Sequence, residues 1–384
     1  MRFLGFEGEW EVARIGELYS ERSQRCTTPM ELLSVTISEG VVPRADIEGK
    51  DNSSEDKSNY KVVHVGDMVY NTMRMWQGAS GLSAYNGIVS PAYTILKDAA
   101  KFDHEFMASL FKTEWLINEF RKNSQGLTSD TWNLKYPQIA AIKVRLPSVQ
   151  EQHHIATFLS LIDSRITAQR KIVELLKKHK RGLHSAIFGQ KCRVVNADGK
   201  PCPAWRQVRI GDIFQERSER GGTADELLSV TINNGVKRQA DTDKKDSSSE
   251  DKSNYKKVLP GDIVYNTMRM WQGASGVSPW AGIVSPAYTV IYPRGRQNTT
   301  FWAYAFKYWR LIQEFQKFSQ GLTSDTWNLK YPQLSDIRVY EPSMDEQEAI
   351  VDILSILDER VSAAEQELNK MRNLKSGLLQ HLFV

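Results

Sequence analysis

Two long stretches of the chain carry a narrow hydrophobic stripe that advances in alternating steps of four and three residues. They span residues 148–188 and 343–384. This heptad spacing is typical of a helix that buries one stripe against another helix. Because the stretches share length and register, we expect the two helices to pair; the alternative is that each packs only on its own domain. The stripe positions are Ile155, Leu159, Ile162, Ile166, Gln169, Val173, Leu176, Lys180, Leu183 and Ile187, then Ile350, Leu354, Leu357, Val361, Ala364, Leu368, Met371, Lys375, Leu378 and Leu382.

Each long helix is preceded by a start signal, Pro-Ser at residues 147–148 and 342–343. Glu151 and Glu346 follow the serines by three residues, which is the spacing of a capping box. We expect each serine hydroxyl to accept a bond from the glutamate N–H, and each carboxylate to bond back to the serine N–H.

The first half of the chain returns in the second half, displaced by 195 positions, as in Trp10 and Trp205 or Trp76 and Trp271. A period of this length indicates a duplicated domain rather than a solenoid. Each copy reads as an α+β domain closed by its long helix. The predicted boundaries are a first domain at 1–147, its helix at 148–190, a linker at 191–204, a second domain at 205–342 and its helix at 343–384.

Several blocks survive almost letter for letter between the copies. Residues 31–37 alternate like a strand, and the serine-rich residues 53–61 read as a surface loop. Residues 70–81 and 124–138 are long, polar and aromatic. By contrast, residues 102–122 keep only their apolar spacing and are predicted to be a scaffold helix.

The two polar, aromatic blocks suggest nucleic-acid recognition. Arg, Asn and Gln read base edges, whereas Ser, Thr and Lys position a protein on phosphates. In the alternative, Met73, Met75 and Trp76 are core packing and the polar residues only satisfy turns. The candidate residues are Asn71, Thr72, Arg74, Trp76, Gln77, Gln125, Thr128, Ser129, Asp130 and Lys135, with Asn266, Thr267, Arg269, Trp271, Gln272, Gln320, Thr323, Ser324, Asp325 and Lys330 in the second copy.

Composition adds modest limits. A chain of 384 residues is comfortable for two domains, and a net charge of +4 permits but does not demand nucleic-acid binding. Cys26, Cys192 and Cys202 offer neither disulfide nor zinc spacing, so we expect the cytoplasm. No apolar run has the ~20 residues of a membrane span. His153 and His154 face Glu348 and Ala349 in the second copy, so no metal site is predicted.

No catalytic motif is recognisable. The sequence lacks a GxxxxGK[ST] phosphate loop, GxGxxG, HExxH, a GxSxG elbow and the Asn-Pro-Pro-aromatic motif of amino-methyltransferases. Three hypotheses stand at this point: a non-catalytic DNA-reading subunit, an enzyme with an unrecognised site, and a coiled-coil scaffold that binds only protein. Salt-dependent, sequence-specific DNA binding would discriminate between them.

These residues resemble the DNA-specificity subunit of type I restriction–modification systems. The resemblance covers nearly the whole chain and rests on VGDMVYNTMRMWQGASG (65–81), GIVSPAY (87–93), QGLTSDTWNLKYPQI (125–139), LPSVQEQHHIATFLSLID (146–163) and the domain openings WEVARIGELY (10–19) and WRQVRIGDIF (205–214). It implies two target-recognition domains joined by an antiparallel helix pair that spaces two DNA half-sites.

The resemblance also implies a chain without its own catalysis or cofactor. Two methyltransferase subunits would supply S-adenosylmethionine chemistry, and two restriction subunits, where present, would supply ATP- and Mg-dependent cleavage. Recognition domains in the family ordinarily differ, whereas these are close copies. We therefore expect a palindromic, interrupted target on double-stranded DNA. Residues 38–49 are the exception, because Pro43, Arg44 and Glu48 face Arg238, Gln239 and Asp243.

Overall fold

The structure is a computed structural model. It describes residues 2–51, 53–195, 202–222, 225–232, 235–242, 248–249 and 251–383. Residues 196–201 of the predicted linker, and Asp243 in the divergent segment, lie outside the described residues.

The described residues of the first half form ten short strands and five α-helices. They are β1 (Glu11–Arg14), α1 (Ile15–Leu18), β2 (Tyr19–Glu21), β3 (Leu33–Thr36), β4 (Gly40–Pro43), β5 (Lys61–Val63), β6 (Met68–Asn71), β7 (Ser80–Leu82), β8 (Gly87–Val89), β9 (Tyr93–Asp98), α2 (His104–Leu110), α3 (Glu114–Asn123), α4 (Tyr136–Ala140), β10 (Lys143–Leu146) and α5 (Val149–Phe188).

The second half repeats the order within the residues described. Its elements are β11 (Arg206–Arg209), α6 (Ile210–Ile213), β12 (Phe214–Glu216), β13 (Leu228–Thr231), β14 (Gly235–Arg238), β15 (Lys256–Val258), β16 (Ile263–Asn266), β17 (Ser275–Val277), β18 (Gly282–Val284), β19 (Tyr288–Pro293), α7 (Thr299–Ala305), α8 (Trp309–Phe318), α9 (Tyr331–Ser335), β20 (Arg338–Glu341) and α10 (Met344–Leu382).

Each half builds the same small antiparallel sheets. Four strands order as β2-β9-β6-β7 in the first half and as β12-β19-β16-β17 in the second. Separate pairs join β1 to β10, β3 to β4 and β5 to β8, with matching pairs in the second half. The predicted α+β class with two tandem copies and two long helices is confirmed.

Contacts divide the chain into two compact units, Met1–Lys171 with Glu365–Val384, and Ile172–Ala364. Large aromatic side chains fill both cores. The first unit buries Tyr19, Phe106, Phe111 and Phe120 completely. The domain boundaries read from the sequence stay a prediction, since the contacts place the two parts of each long helix in different units.

One predicted helix is in fact two. Residues 102–122 form α2 and α3, separated by a turn at residues 111–113. Thr113 makes the break, because its hydroxyl donates to the Leu110 carbonyl at 2.8 Å and accepts from the Leu116 N–H at 3.4 Å. This threonine caps the second helix, and the apolar spacing alone cannot reveal such a break.

The heptad stripe is confirmed, and every stripe position on both helices is buried or half-buried. Within the first unit, Lys375 Nζ of α10 bonds Asp163 of α5 at 2.6 Å. Within the second unit, Lys180 of α5 pairs with Asp358 of α10. In each unit the start of one long helix therefore lies beside the end of the other, so the helices pair antiparallel.

The helix ends also complete the aromatic cores. Phe383, just after α10, packs on Phe106 with ring centroids 5.0 Å apart in the first unit. In the second unit Phe188, the last residue of α5, packs on Phe301 at 5.4 Å. Each core thus uses residues from far along the sequence.

The expected capping box forms only in part. The Glu151 N–H does donate to Ser148 Oγ at 3.3 Å, but the Glu151 carboxylate binds the Arg2 guanidinium at 2.8 and 2.9 Å. Arg193 makes the equivalent pair with Glu346 at 3.1 Å. Both glutamates are 1% exposed, so an arginine that neutralises the carboxylate is favoured over a return bond to serine.

The glutamine that follows each glutamate joins the helix start to the rest of its unit. Gln152 Nε2 donates to the Pro147 carbonyl, and Gln152 Oε1 accepts the Asp103 N–H, both at 2.9 Å. In the second unit Gln347 bonds the Pro342 carbonyl and the Asn298 N–H. Asp103 and Asn298 are the N-caps of α2 and α7, so the glutamine couples two helix starts.

We expect Gln152→Ala to lower the free energy of unfolding by about 1–3 kcal/mol, because two backbone groups lose their partners. Denaturant titration of the purified chain measures this. Gln150→Ala is the matched control, since Gln150 is exposed two residues earlier. Equal effects of the two variants would contradict this role for Gln152.

Candidate nucleic-acid interface

The β6–β7 connection forms the first loop of the candidate site. Asn71 Oδ1 accepts the Met73 N–H at 3.0 Å, which turns the chain at the end of β6. A short 3-10 turn, Met75–Gln77, follows and ends at Gly78 with φ +82°. This conformation favours glycine, and it returns the chain into β7.

Residues 124–135 form the second loop, and two contacts join it to the first. The Leu134 N–H donates to the Thr72 carbonyl at 2.9 Å. Trp76 and Trp132 meet edge to face with centroids 5.2 Å apart. The second unit has the same joint, with Trp271 and Trp327 at 5.2 Å. We call residues 71–79 with 124–135, and residues 266–274 with 319–330, the two-loop surface of each unit.

Some predicted site residues build the loops rather than face outward. Thr72 is 7% exposed, and its hydroxyl donates to the Ala92 carbonyl at 2.9 Å. Trp76 Nε1 donates to the Met73 carbonyl at 3.0 Å. Asn71, Thr72 and Trp76 therefore agree with the alternative interpretation, in which such residues pack or satisfy turns. Asn266, Thr267 and Trp271 make the same contacts in the second unit. Met75 is fully buried, whereas Met73 is 42% exposed.

The remaining predicted residues lie at the surface. Gln77 is half-buried, and the others are exposed. Within the described part of the chain, no carboxylate pairs with Arg74 or Lys135, nor with Arg269 or Lys330. The surface therefore offers two unneutralised cations per unit. The exposed set is Arg74, Gln125, Thr128, Ser129, Asp130 and Lys135, with Arg269, Gln272, Gln320, Thr323, Ser324, Asp325 and Lys330.

A half-buried lysine in the segment predicted to be scaffold supports the first loop. Lys112 Nζ donates to the carbonyls of Gly78 at 2.7 Å and Ile37 at 3.1 Å. It thereby joins the end of the 3-10 turn to the β3–β4 hairpin. Lys307 makes the same bonds to Gly273 and Ile232. Burial lowers the pKa of each lysine to about 8. The available signal was its retention in both copies of a segment in which most polar residues change.

No sequence pattern singled out Leu127 and Leu322, which are fully exposed, each in the second loop of its unit. Backbone pairing between Gln125 and Asn133 at 2.8 and 3.0 Å closes that loop. Gly126 has φ +147°, and a Cβ there would lie 2.6 Å from the Thr131 carbonyl oxygen. The tip therefore requires glycine beside the exposed leucine.

The side chains expected not to bind metal have other partners. His153 Nδ1 lies 3.0 Å from Asp103, and the His154 ring packs on Phe6 with centroids 5.2 Å apart. The described residues contain no group of three His, Cys, Asp or Glu side chains placed to hold a metal ion. Among the same residues, no helix has the length and apolar character needed to cross a bilayer.

Known structures share this architecture of paired domains and long helices. One is a chain from a structure described as the structural basis of complex assembly and conformational transition of the type I R-M system. It aligns with TM-score 0.61 and 15% identity, covering 99% of each chain. The HsdS subunit from Thermoanaerobacter tengcongensis aligns at 0.52 and 17%, covering 98% of this chain and 97% of its own. The type I restriction-modification S subunit from M. genitalium aligns at 0.56 and 15%, covering 100% and 97%.

The fold and the duplicated two-loop surface thus define a class of protein with two similar domains and two paired long helices. The family model for the type I restriction modification DNA specificity domain matches residues 7–178 and 204–372. Because these matches cover most of the sequence, the chain belongs to the type I restriction–modification DNA specificity family.

Lys112→Met should alter the pH dependence of stability. The folded pKa of Lys112, about 8, lies below its usual value of 10.5, so between these pH values the unfolded chain binds more protons. The lysine's contribution to stability is complete above pH 10.5 and is lost as pH falls through 8. We expect the stability of the wild type relative to Lys112→Met to rise from pH 8 to 10, measured by denaturant titration. A flat difference would contradict the burial of this charge.

Proposed function

We propose that this chain is the sequence-specific DNA-reading subunit of a type I restriction–modification complex. The observation that carries the proposal is the two-loop surface, which occurs twice on a family scaffold. Each copy exposes an arginine and a lysine that have no carboxylate partner among the described residues, beside glutamine, serine and threonine side chains. Cations suit DNA phosphates, and Arg and Gln suit base edges.

Catalysis belongs, in this proposal, to partner subunits. Two methyltransferase subunits bind this chain and bring S-adenosylmethionine, while restriction subunits bring ATP and Mg. The family match supports this role, as does the likeness to a chain described in the assembly of a type I R-M system. The paired helices α5 and α10 set the distance between the two half-sites.

The near-identity of the two surfaces favours a palindromic, bipartite target. Two like readers that each take one half-site on the two strands of a duplex favour a site whose halves are reverse complements. The residues of the loops themselves repeat, with Arg74 and Arg269 or Lys135 and Lys330 in corresponding places.

The segment after β4 is where the half-sites could differ. Arg44 folds back on its own loop, donating to the Ile47 carbonyl at 2.7 Å and the Lys50 carbonyl at 2.8 Å. In the second unit, Arg238 instead pairs with Glu226 at 3.2 Å and lies over the Trp280 ring at 5.4 Å. A contact from this segment to DNA would therefore present different groups in the two units.

Methylation mapping of the host genome tests the reading function and the palindrome together. We expect one interrupted motif whose halves are reverse complements, and we expect it to vanish when this chain is deleted. Two unrelated halves would contradict reading by the two-loop surfaces. A methylome unchanged by the deletion would favour the alternative function, a coiled-coil scaffold that binds protein without reading DNA.

Arg74→Ala and Arg269→Ala should each weaken recognition of one half-site, by about 1–3 kcal/mol if the guanidinium grips a guanine. Competition binding of the methyltransferase-bound complex to target and mutated-target duplexes measures this loss.

Arg74→Lys separates two modes of contact, because lysine keeps the charge but not the bidentate geometry. Base reading predicts lost discrimination in Arg74→Lys, whereas a phosphate contact predicts little change. Lys97→Ala controls for general charge, since Lys97 is exposed on β9 outside the two-loop surface. Equal losses for Lys97→Ala and Arg74→Ala would contradict specific reading.

A further inference from the structure

The tip of the second loop carries a fully exposed apolar side chain among polar loop neighbours. Leu127 and Leu322 are each 101% exposed. Of the large hydrophobic side chains described, Leu4 alone shares this exposure, and its register partner is Gly199, so it is not repeated. The two loop leucines are therefore a duplicated feature and not a scattered surface residue.

The loop holds its leucine on a stiff support. The Thr131 hydroxyl accepts the Thr128 N–H at 3.1 Å and donates to the Thr128 carbonyl at 2.9 Å. Trp132, next to Thr131, packs on Trp76 and so joins the second loop to the first loop, which carries Arg74. Thr323, Thr326, Trp327 and Trp271 repeat each contact. A preorganised side chain loses little freedom when it enters a partner.

The surroundings of the leucine favour DNA as the partner over protein. Protein-docking sites are marked by contiguous exposed apolar patches. Leu127 instead stands between Gly126 and Thr128, followed by Ser129 and Asp130, all of them exposed. A fully exposed apolar side chain among polar loop neighbours, on a surface that also exposes Arg74 and Lys135, matches the wedges with which proteins part stacked base pairs.

We propose that Leu127 and Leu322 each insert into one base step of a half-site, unstacking it and bending the duplex. This inference rests on the proposed DNA-reading function and adds a second source of sequence specificity to it. Base steps differ in the free energy needed to open them, so the wedge would read the deformability of the step rather than its edges.

The test uses the complex with its methyltransferase subunits and a duplex of the mapped target. 2-Aminopurine is placed at each position in turn, excluding the base to be modified, which itself leaves the stack. Unstacking raises its fluorescence. We expect a rise at one step in each half-site for the wild type. Leu127→Ala should abolish one rise and Leu322→Ala the other, with about a tenfold loss of affinity each, equivalent to roughly 1.4 kcal/mol.

Two further variants serve as controls. Leu127→Met keeps apolar bulk and should keep the signal. Leu4→Ala removes an equally exposed leucine outside the two-loop surface and should change nothing. If the signal persists in Leu127→Ala while target preference is kept, the wedge is overturned and the reading function stands.

Other outcomes are equally decisive. If Leu127→Ala fails to assemble with methyltransferase subunits, as measured by complex size, the leucine is a protein contact and the wedge is overturned. If the wild-type complex itself shows no preference for the mapped target, the proposed reading function fails first.

Discussion

The buried charge at the first turn of each long helix is the interaction on which the architecture depends. Glu151 and Glu346 are both 1% exposed, and each would be costly inside the protein without a counter-charge. An arginine and the positive end of the helix dipole supply it. Because the neighbouring glutamine is also bonded to the N-cap of another helix, the first turn fixes the direction of some forty residues of helix. The direction of each helix in turn decides where its stripe positions and its aromatic end are buried.

Local sequence patterns predicted most of the fold because helix and strand periodicity reflects interactions between residues close in the sequence. The heptad stripe, the strand at residues 31–37 and the duplicated α+β units all follow from periodicity. Long-range partners left no such record. Arg2 and Arg193 have the same role but lie 191 positions apart, whereas the rest of the chain repeats at 195, so aligning the copies hides them. The break between α2 and α3 was missed because apolar spacing continues across the Thr113 cap.

The candidate site was predicted as a region, and its residues then divided by physical role. Polar residues such as Asn71 and Thr72 hydrogen-bond the backbone at the base of the loop. Sequence composition cannot distinguish them from exposed residues such as Arg74, which are proposed to contact DNA. Lys112 was not predicted because a lysine in an amphipathic segment is normally solvated. In the structure it lies in the turn between α2 and α3, where its amine bonds two carbonyls. Leu127 was overlooked because its exposure depends on the chain reversal at Gly126, which no hydrophobic pattern reports.

The edge-on contact between Trp76 and Trp132 gives each unit an intrinsic optical probe. Two indoles at 5.2 Å couple their electronic transitions, and the coupling depends on their mutual angle. Among the ten tryptophans of the chain, these pairs sit at the joint of the two loops. A shift of one loop against the other would therefore change the near-ultraviolet circular dichroism, without any label. The contact that holds the two-loop surface together would also report when that surface moves.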